Sequence, residues 1–578
     1  MELSGQAEEA ANSTNNHYSI ETYYTRNLVN RYSQLGSNGV SYIIPPRGIL
    51  DENNGSLASL AGRWQMNINK NWGSSHELNA LAGSEIKQAR LKSSAYRTYG
   101  YDNNILDAGI VNYLADYPIY DNLSGPMRIP YMNFGFGKTV TRLVSHFANA
   151  GYTYKGRYML TASARNDASN LFGVATNKKW SPFWSAGAAW TISKEPFFKI
   201  AWVDMLKLRM TYGYNGNINN GVAAIPTINL YAASAQLTNL PYATVNNLAN
   251  EKLRWERSGI FNIGADVELW KRRFTAGIEW YNKNATDLIA LSPVDPTAGI
   301  NSMYLNTASI NSRGMDINLQ WKPLAKALQW DARLLLSIVR NKVTAYSLPG
   351  SNLASFVNVA QSLKPALGKD PYAIMSFRFA GLDTAGNPVG YFQGSESMAY
   401  NSILSDATWP DLVSHGSRRP PVFGNIINSF SYKGFLFTVN INFKLGHYFR
   451  RETINYYNLF YVGQGHTDFY DRWQQRGDEA TTSVPSMVYG ASPNRDKFYA
   501  LSEATVSKAG SIRLQDISLG YDFGNRPKTG SLMRNFSLQL YAQNLGILWR
   551  ANSYGLDPDF AIGLPTPFSM TVGLRKTF

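Results

Sequence analysis

The chain is patterned in twos. Apolar and polar positions alternate over segments of about ten residues, the mark of β-strands whose two faces meet different surroundings. Phe435, Phe437, Val439, Ile441 and Phe443 fall in one phase and Thr438, Asn440, Asn442 and Lys444 in the other, with Leu436 the exception. Leu206, Leu208, Met210 and Tyr212 alternate with Lys207, Arg209, Thr211 and Gly213. Phe261, Ile263, Ala265, Val267 and Leu269 alternate with Asn262, Gly264, Asp266 and Glu268. Tyr158, Leu160, Ala162 and Ala164 repeat the theme, as do Met315, Ile317, Leu319 and Trp321. The pattern predicts about 15 strands of barrel type, near 59–71, 76–93, 138–154, 157–168, 181–193, 204–214, 252–269, 273–289, 306–322, 328–345, 423–432, 435–447, 510–523, 535–545 and 567–578. Ile512 and Leu514 lie in one phase and Ile517, Leu519 and Tyr521 in the other, which predicts a β-bulge near Gln515 and Asp516.

A large soluble antiparallel sheet would alternate too, so the connections decide. Short ones, such as Trp72-Gly73-Ser74-Ser75, Lys155-Gly156, Trp270-Lys271-Arg272 and Tyr432-Lys433-Gly434, alternate with long ones around 94–137, 215–250, 345–421 and 449–508. Transmembrane β-barrels have short periplasmic turns and long extracellular loops, so the short turns mark the periplasmic side. Single-chain bacterial barrels have an even number of strands. The first strong strand runs down into a short turn, so an upward strand must precede it: either residues 17–25 (His17 to Thr25) supply it or it is missing. The fold class is therefore all-β, a transmembrane antiparallel β-barrel with 15 to 16 strands present. Residues 1–58 are an N-terminal loop region with room for one strand, and 59–578 the barrel with its long extracellular loops.

Composition agrees. Of 578 residues, 16% are charged and 13% aromatic, with 36 Tyr, 27 Phe and 14 Trp, a load that suits two aromatic membrane girdles. Cysteine is absent, which removes disulfides, thiol nucleophiles and cysteine-ligated metals. The net charge of +15 comes from scattered Lys and Arg with no basic run, so a nucleic-acid partner is not expected. Basic side chains can instead meet anionic headgroups or an anionic solute in a lumen. The N-terminus Met1-Glu2-Leu3-Ser4-Gly5 lacks the basic and apolar regions of a secretory signal, so an N-terminally incomplete chain is expected. The last strand, Met570, Val572 and Leu574, ends on Phe578, an aromatic terminus typical of chains handed to the outer-membrane assembly machinery.

Several stretches, in order along the chain, resemble the SusC/RagA family of TonB-linked outer-membrane proteins. They are Tyr158 to Ala168 with Leu171-Phe172-Gly173, Lys179-Trp180-Ser181-Pro182 and Gly187 to Ser193, then Leu206-Lys207-Leu208-Arg209 with Tyr212-Gly213 and Gly216-Asn217. Phe377 to Asp383 with Gly386, Pro388 and Gly390 follows, then Asp471-Arg472-Trp473-Gln474-Gln475 with Gly477-Asp478-Glu479, Thr481 and Pro485. Ser511 to Tyr521, Asn544 to Asn552 and Gly555-Leu556-Asp557-Pro558 complete the set. The family has Gly where Ala168 stands. The resemblance implies a plugged barrel of about 22 strands in the outer membrane of a Gram-negative bacterium. It would import oligosaccharides, glycans or peptides, gated by TonB and capped by a SusD-like lipoprotein. The family places a TonB box and plug before the barrel, and neither is found in this sequence, so coupling to TonB would run through a missing N-terminal plug region. A passive pore, or a surface-binding barrel without TonB coupling, is the alternative reading.

Candidate chemistry thins out on inspection. Gly135-Phe136-Gly137-Lys138-Thr139 ends like a phosphate-binding loop, but Met132 stands where that motif needs Gly, and no crossover helix follows. His76-Glu77 opens like a zinc-protease helix, yet Ala80 stands at the second ligand position. The other histidines, His447 among them, show no ligand spacing. Neither a catalytic site, a metal nor a cofactor is expected, and Asp383, Asp471 and Asp557 are read as loop-structure residues. Binding is the better prospect, and Tyr456, Tyr457, Tyr461 and Trp473 in the 449–473 loop are the candidates, because aromatic rings stack on sugars and grip peptide backbones. Packing of the loops, or contact with the lid lipoprotein, is the competing role for these rings.

Overall fold

The computed structural model describes residues 1–37, 39–120, 125–130, 135–170, 180–217, 222, 224–231, 240, 242–300, 302–346, 353–357, 366–524, 536–560 and 563–576. Sixteen strands hydrogen-bond in one sheet in their order along the chain. They are β1 (Glu2–Tyr18), β2 (Gly48–Trp72), β3 (His76–Tyr101), β4 (Gly135–Tyr154), β5 (Tyr158–Ser169), β6 (Trp180–Thr191), β7 (Val203–Asn217) and β8 (Glu256–Leu269), followed by β9 (Phe274–Pro293), β10 (Ser302–Ala325), β11 (Leu328–Ala345), β12 (Val422–Tyr432), β13 (Phe435–Leu445), β14 (Ser511–Asp522), β15 (Phe536–Arg550) and β16 (Ser569–Lys576). Among the described residues no helix is long and apolar enough to cross a membrane. The chain divides into two compact units, Met1–Ile68 with Ala80–Asn149 and Ala164–Pro182, and Asn69–Asn79 with Ala150–Ser163 and Phe183–Phe578.

In the first unit β1 pairs antiparallel with β2 from Glu2 opposite Gln65 to Tyr18 opposite Ile49. The extra strand therefore lies at 2–18. Most of residues 17–25, the expected position, close β1 and start the helix α1 (Tyr23–Arg31), whose first turn is capped by Thr22. The shift has a physical reason: Thr22 offers an N-cap oxygen to the Thr25 amide. Val29, Tyr32, Ile44, Ile49, Tyr99 and Ile129 form a small core against α1. Arg97 lies across its edge in a two-pronged pair with Asp51, at 2.6 and 2.7 Å.

In the second unit the register separates two faces. Leu208, Ala265, Ile278, Ile317 and Leu336 are successive cross-strand partners on β7 to β11, an apolar row. The adjacent row carries Arg209, Gly264, Glu279, Asp316 and Ser337. Here Arg209 reaches Asp266 at 3.2 Å and Glu279 at 3.1 Å, and Ser337 Oγ donates to Asp316 at 2.6 Å. Gly264 lies between the strands that carry Arg209 and Glu279, and a Cβ there would stand 3.0 Å from the Arg209 Nε, so glycine leaves the guanidinium its path. The bulge stands where the phase slip predicts it: Asn440 faces Asp516 and Ile441 faces Leu514, leaving Gln515 extra.

Two turns show why the short connections are so tight. Lys433 and Gly434 (φ 47° and 95°) join β12 to β13, and Lys155 with Gly156 (φ 51° and 62°) lies between β4 and β5. Positive φ at both central residues is what a twist-matched two-residue hairpin requires. Aromatic rings gather at this end of the strands: Trp202 and Trp270 stack at 5.9 Å, Trp321 and Trp330 lie 5.9 Å apart, Trp330 and Phe430 5.6 Å, and Phe435 and Tyr521 4.4 Å. A second aromatic level includes Trp184 with Tyr212 at 5.8 Å and Phe261 with Trp280 at 6.1 Å. Beyond Trp280 the apolar phase of the strands turns polar. Asn282 faces Arg313, which faces Arg340, and Asn284 faces Asn311, which faces Lys342. Two ring levels and a polar collar bound the apolar rows, the layout of a membrane-spanning strand set.

Candidate functional site

The two longest connections, 346–421 and 446–510, fold rather than trail. Phe356, Met375, Phe377, Ile403, Leu412 and Phe498 are all buried in one core that draws on both. Three devices build it. A Cβ on Gly390 would stand 2.4 Å from the Phe498 ring, so only glycine lets that ring in. Asp411, fully buried, accepts from the amides of Gln393 (3.0 Å), Gly394 (2.7 Å) and Thr408 (2.8 Å) and from the Thr408 hydroxyl (2.6 Å). Burial alone pushes this carboxyl up, but those donors outweigh it and hold it below the usual carboxylate range. Arg450, just past β13, donates to the carbonyls of Ala500 (3.1 Å), Ser502 (2.9 Å) and Met375 (2.9 Å) and to the hydroxyls of Thr505 and Ser376 (both 2.9 Å). None of these acceptors is a carboxylate, and burial pushes the guanidinium down to about 10.

A cavity of about 870 Å³ lies among these loops, the outer end of β13 and Pro558 and Asp559 of the connection after β15, within the size range of small-molecule sites, roughly 300–1,000 Å³. Five basic side chains (Arg418, Arg419, Lys444, Arg450, Arg451) and two acidic ones (Glu452, Asp559) line it, with His447 and His466. The basic groups are not equally engaged. Lys444 Nζ lies 2.8 Å from Asp559, and Arg451 Nη1 pairs with the buried Asp468, which also accepts from Thr453 at 2.6 Å. Arg419 lies 3.6 Å over the Tyr372 ring, a cation–π contact. Arg418 and Arg419 are both exposed. His447 is 6% exposed and Arg451 4%, yet the Nδ1 of one and the Nε of the other have no hydrogen-bond partner. Burial, helped by Lys444 and opposed by Asp559, pushes the His447 imidazole down, so the ring is neutral at pH 7.

The four aromatic candidates fall into different surroundings. Tyr456 is buried, its hydroxyl donating to the Pro485 carbonyl at 2.6 Å and its amide to Asp496 at 2.7 Å. Tyr457 and Tyr461 stand exposed on the helix α2 (Tyr456–Val462) with ring centroids 4.7 Å apart. Trp473 donates from its indole to Glu479 at 2.8 Å and packs so closely on Gly386 that a Cβ there would meet it at 2.6 Å. None of the four lines the cavity. Asp383 serves loop structure, accepting from the amides of Ala385 (2.9 Å) and Asn387 (2.7 Å). Gly135 to Thr139 and His76-Glu77 both lie on strands. Among the described residues no cluster of three or more His, Asp or Glu is placed to hold a metal. Met132, Leu171-Phe172-Gly173, Lys179 and Phe578 lie outside the described residues.

A family model described as "TonB dependent receptor-like, beta-barrel" matches residues 4–545. A curated relative, TonB-dependent receptor P39 of Formosa agariphila, is 25% identical over 540 residues, which is 85% of this chain and 49% of that protein. TonB-dependent receptor SusC of Bacteroides thetaiotaomicron is 26% identical over 474 residues, 76% of this chain and 44% of that protein. The chain spans about half the length of the curated relatives it matches. Among solved structures, the RagAB peptide transporter aligns over 97% of this chain and 58% of its own, with a TM-score of 0.72 and 19% identity.

Proposed function

Because the chain belongs to the TonB dependent receptor-like β-barrel family, we propose that it is the barrel portion of a SusC-type outer-membrane importer that takes up oligosaccharide or peptide nutrients. The observation that carries the reading is a sheet with one apolar face, bounded by two aromatic levels, whose long connections fold into a loop assembly enclosing a cavity. In this reading the apolar rows meet outer-membrane lipid, solute is captured among the loops, and a SusD-like lipoprotein caps them. TonB, energised by the inner membrane, acts on a plug carried elsewhere in the complete protein. No step requires bond chemistry. Binding energy and gating suffice, so the protein acts as a transporter rather than an enzyme.

The test is uptake of fluorescent oligosaccharides and peptides by cells producing the full-length protein, with and without a protonophore, against cells lacking it. Accumulation of at least one ligand class that needs the protein and stops on de-energisation is expected. Accumulation that needs the protein but continues without energy would replace this reading with a passive pore. Surface binding with no accumulation would replace it with an adhesin.

A further inference from the structure

The loop cavity carries cations that the protein itself leaves without counter-charge. Arg450 is locked into the wall by five bonds, and every acceptor is a neutral carbonyl or hydroxyl, so its positive charge is positioned but not neutralised. Among the described residues the side chains of Arg418 and Arg419 form no ion pair, and the Tyr372 ring holds the Arg419 guanidinium in place. Deeper in, two nearly fully buried side chains have an unmet polar atom each, His447 Nδ1 and Arg451 Nε. A buried polar atom without a partner is costly, and most such atoms in folded proteins are satisfied. Both atoms are closed off from solvent and belong to the packing of the wall, which leaves Arg418, Arg419 and Arg450 as the charges the cavity presents.

We propose that this cavity is a subsite for a carboxylate on an oligomeric solute, taken by Arg418 and Arg419 and drawn in by the unneutralised charge of Arg450 in its wall. This rests on the import reading and names the substrate class for it. A carboxylate fits because guanidinium N–H groups pair with its two oxygens in a planar fork, and such charge-assisted bonds are about twice as strong as neutral ones. Lys444 is already paired with Asp559, and Glu452 is the one lining carboxylate without an ion pair among the described residues. Glu452 excludes a second negative group close by. The subsite therefore takes single, spaced carboxylates in preference to dense polyanions.

The test compares binding to the purified full-length protein of four probes: an oligogalacturonate, its methyl ester, a short peptide with spaced glutamates, and the glutamine version of that peptide. Esterification or amidation removes the charge and keeps the chain, so no variant has to fold for the comparison to be read. The acid form of at least one pair should bind ~10-fold or more tightly than its neutral partner, with the preference falling as salt rises. Which pair responds tells a sugar from a peptide source. Arg418→Gln and Arg419→Gln, both at exposed positions, should each remove most of that preference, while Arg419→Lys keeps the charge but loses the fork and should recover only part. Equal affinity for acid and neutral forms, or a preference unmoved in the Arg418→Gln/Arg419→Gln double variant, overturns the proposal. Energised uptake of neutral ligands with no acid preference would sink the subsite and leave the import reading standing. Acid-selective binding without any uptake would do the reverse.

Discussion

Replacing Arg450 tests how the loop assembly is held. Its guanidinium joins the strand at Ala373–Phe377, the end of the helix α3 (Pro493–Leu501) with the residues after it, and the chain leaving β13. Hydrogen bonds to a charged group contribute roughly 1.5–3 kcal/mol each, but two terms reduce the sum. Burying the cation costs about 3 kcal/mol, the equivalent of its lowered pKa. The carbonyls of Ala500 and Ser502 also keep a second donor, the Thr505 hydroxyl, at 3.0 Å each. Arg450→Ala is therefore expected to destabilise the loop assembly by about 3–5 kcal/mol, at the high end for one substitution. Arg450→Lys, with three donors for five acceptors, should cost roughly half as much. Hydrogen exchange on the full-length protein in detergent reads this directly. Amides in 373–377, 448–455 and 499–506 should exchange on the order of 10²-fold faster or more in the alanine variant, while β8 to β10 stay protected. Unchanged protection in those loops would refute the reasoning. So would an equal loss in β8 to β10, because the loops would then not be a separately stabilised unit.

Asp411 gives the loop core an acid limit. Its carboxyl is depressed in the fold, so its stabilisation is fully present above the unfolded value near ~4 and is lost as pH falls through the lower folded value. Asp411→Asn should cost about 2–4 kcal/mol at neutral pH and flatten that acid dependence, measured by limited proteolysis of the loops across pH. Gly390→Ala should cost about 1–3 kcal/mol in the same assay by driving a methyl into Phe498. On the sheet, Ile278→Arg in the apolar row should cost about 2–4 kcal/mol of folding stability in lipid vesicles, against about 0–1 for Asn282→Arg at the collar. Equal effects at the two positions would mean that Ile278 does not face lipid.

The strands were legible because the sheet has one apolar and one polar face, and that difference writes a period of two into the sequence. The bulge was legible for the same reason, since one extra residue at Gln515 reverses the phase. β1 was not. Glu2-Leu3-Ser4-Gly5-Gln6-Ala7-Glu8-Glu9 shows no alternation, and all but the last residue of the strand are exposed, so no buried face shaped it. The cavity also escaped sequence reading, because Arg418 and Arg419 come from one stretch and Lys444 to Arg451 from another, and only the fold brings the two together. A signal was present. Two Arg-Arg pairs, 418–419 and 450–451, each stand within a few residues of the outer end of a strand, where the chain leaves the membrane level. The aromatic loop residues stood out by residue type, but type does not separate Tyr456, which is buried, from Tyr457, which is exposed.

The short distance between the two aromatic levels has a consequence for where this chain can settle. On β9 the apolar phase runs from Phe274 through Ala276 and Ile278 to Trp280 before Asn282 begins the collar. At about 3.3 Å per residue and a tilt of about 40°, the six steps from Phe274 to Trp280 span only about 15 Å of bilayer. The inner membrane is thicker, and a band this thin would force it to pinch or drag the collar's Arg313, Arg340 and Lys342 into hydrocarbon, a mismatch charged by the ångström. A band this thin matches a thin bilayer better than a thick one, and the bacterial outer membrane is the thinner of the two.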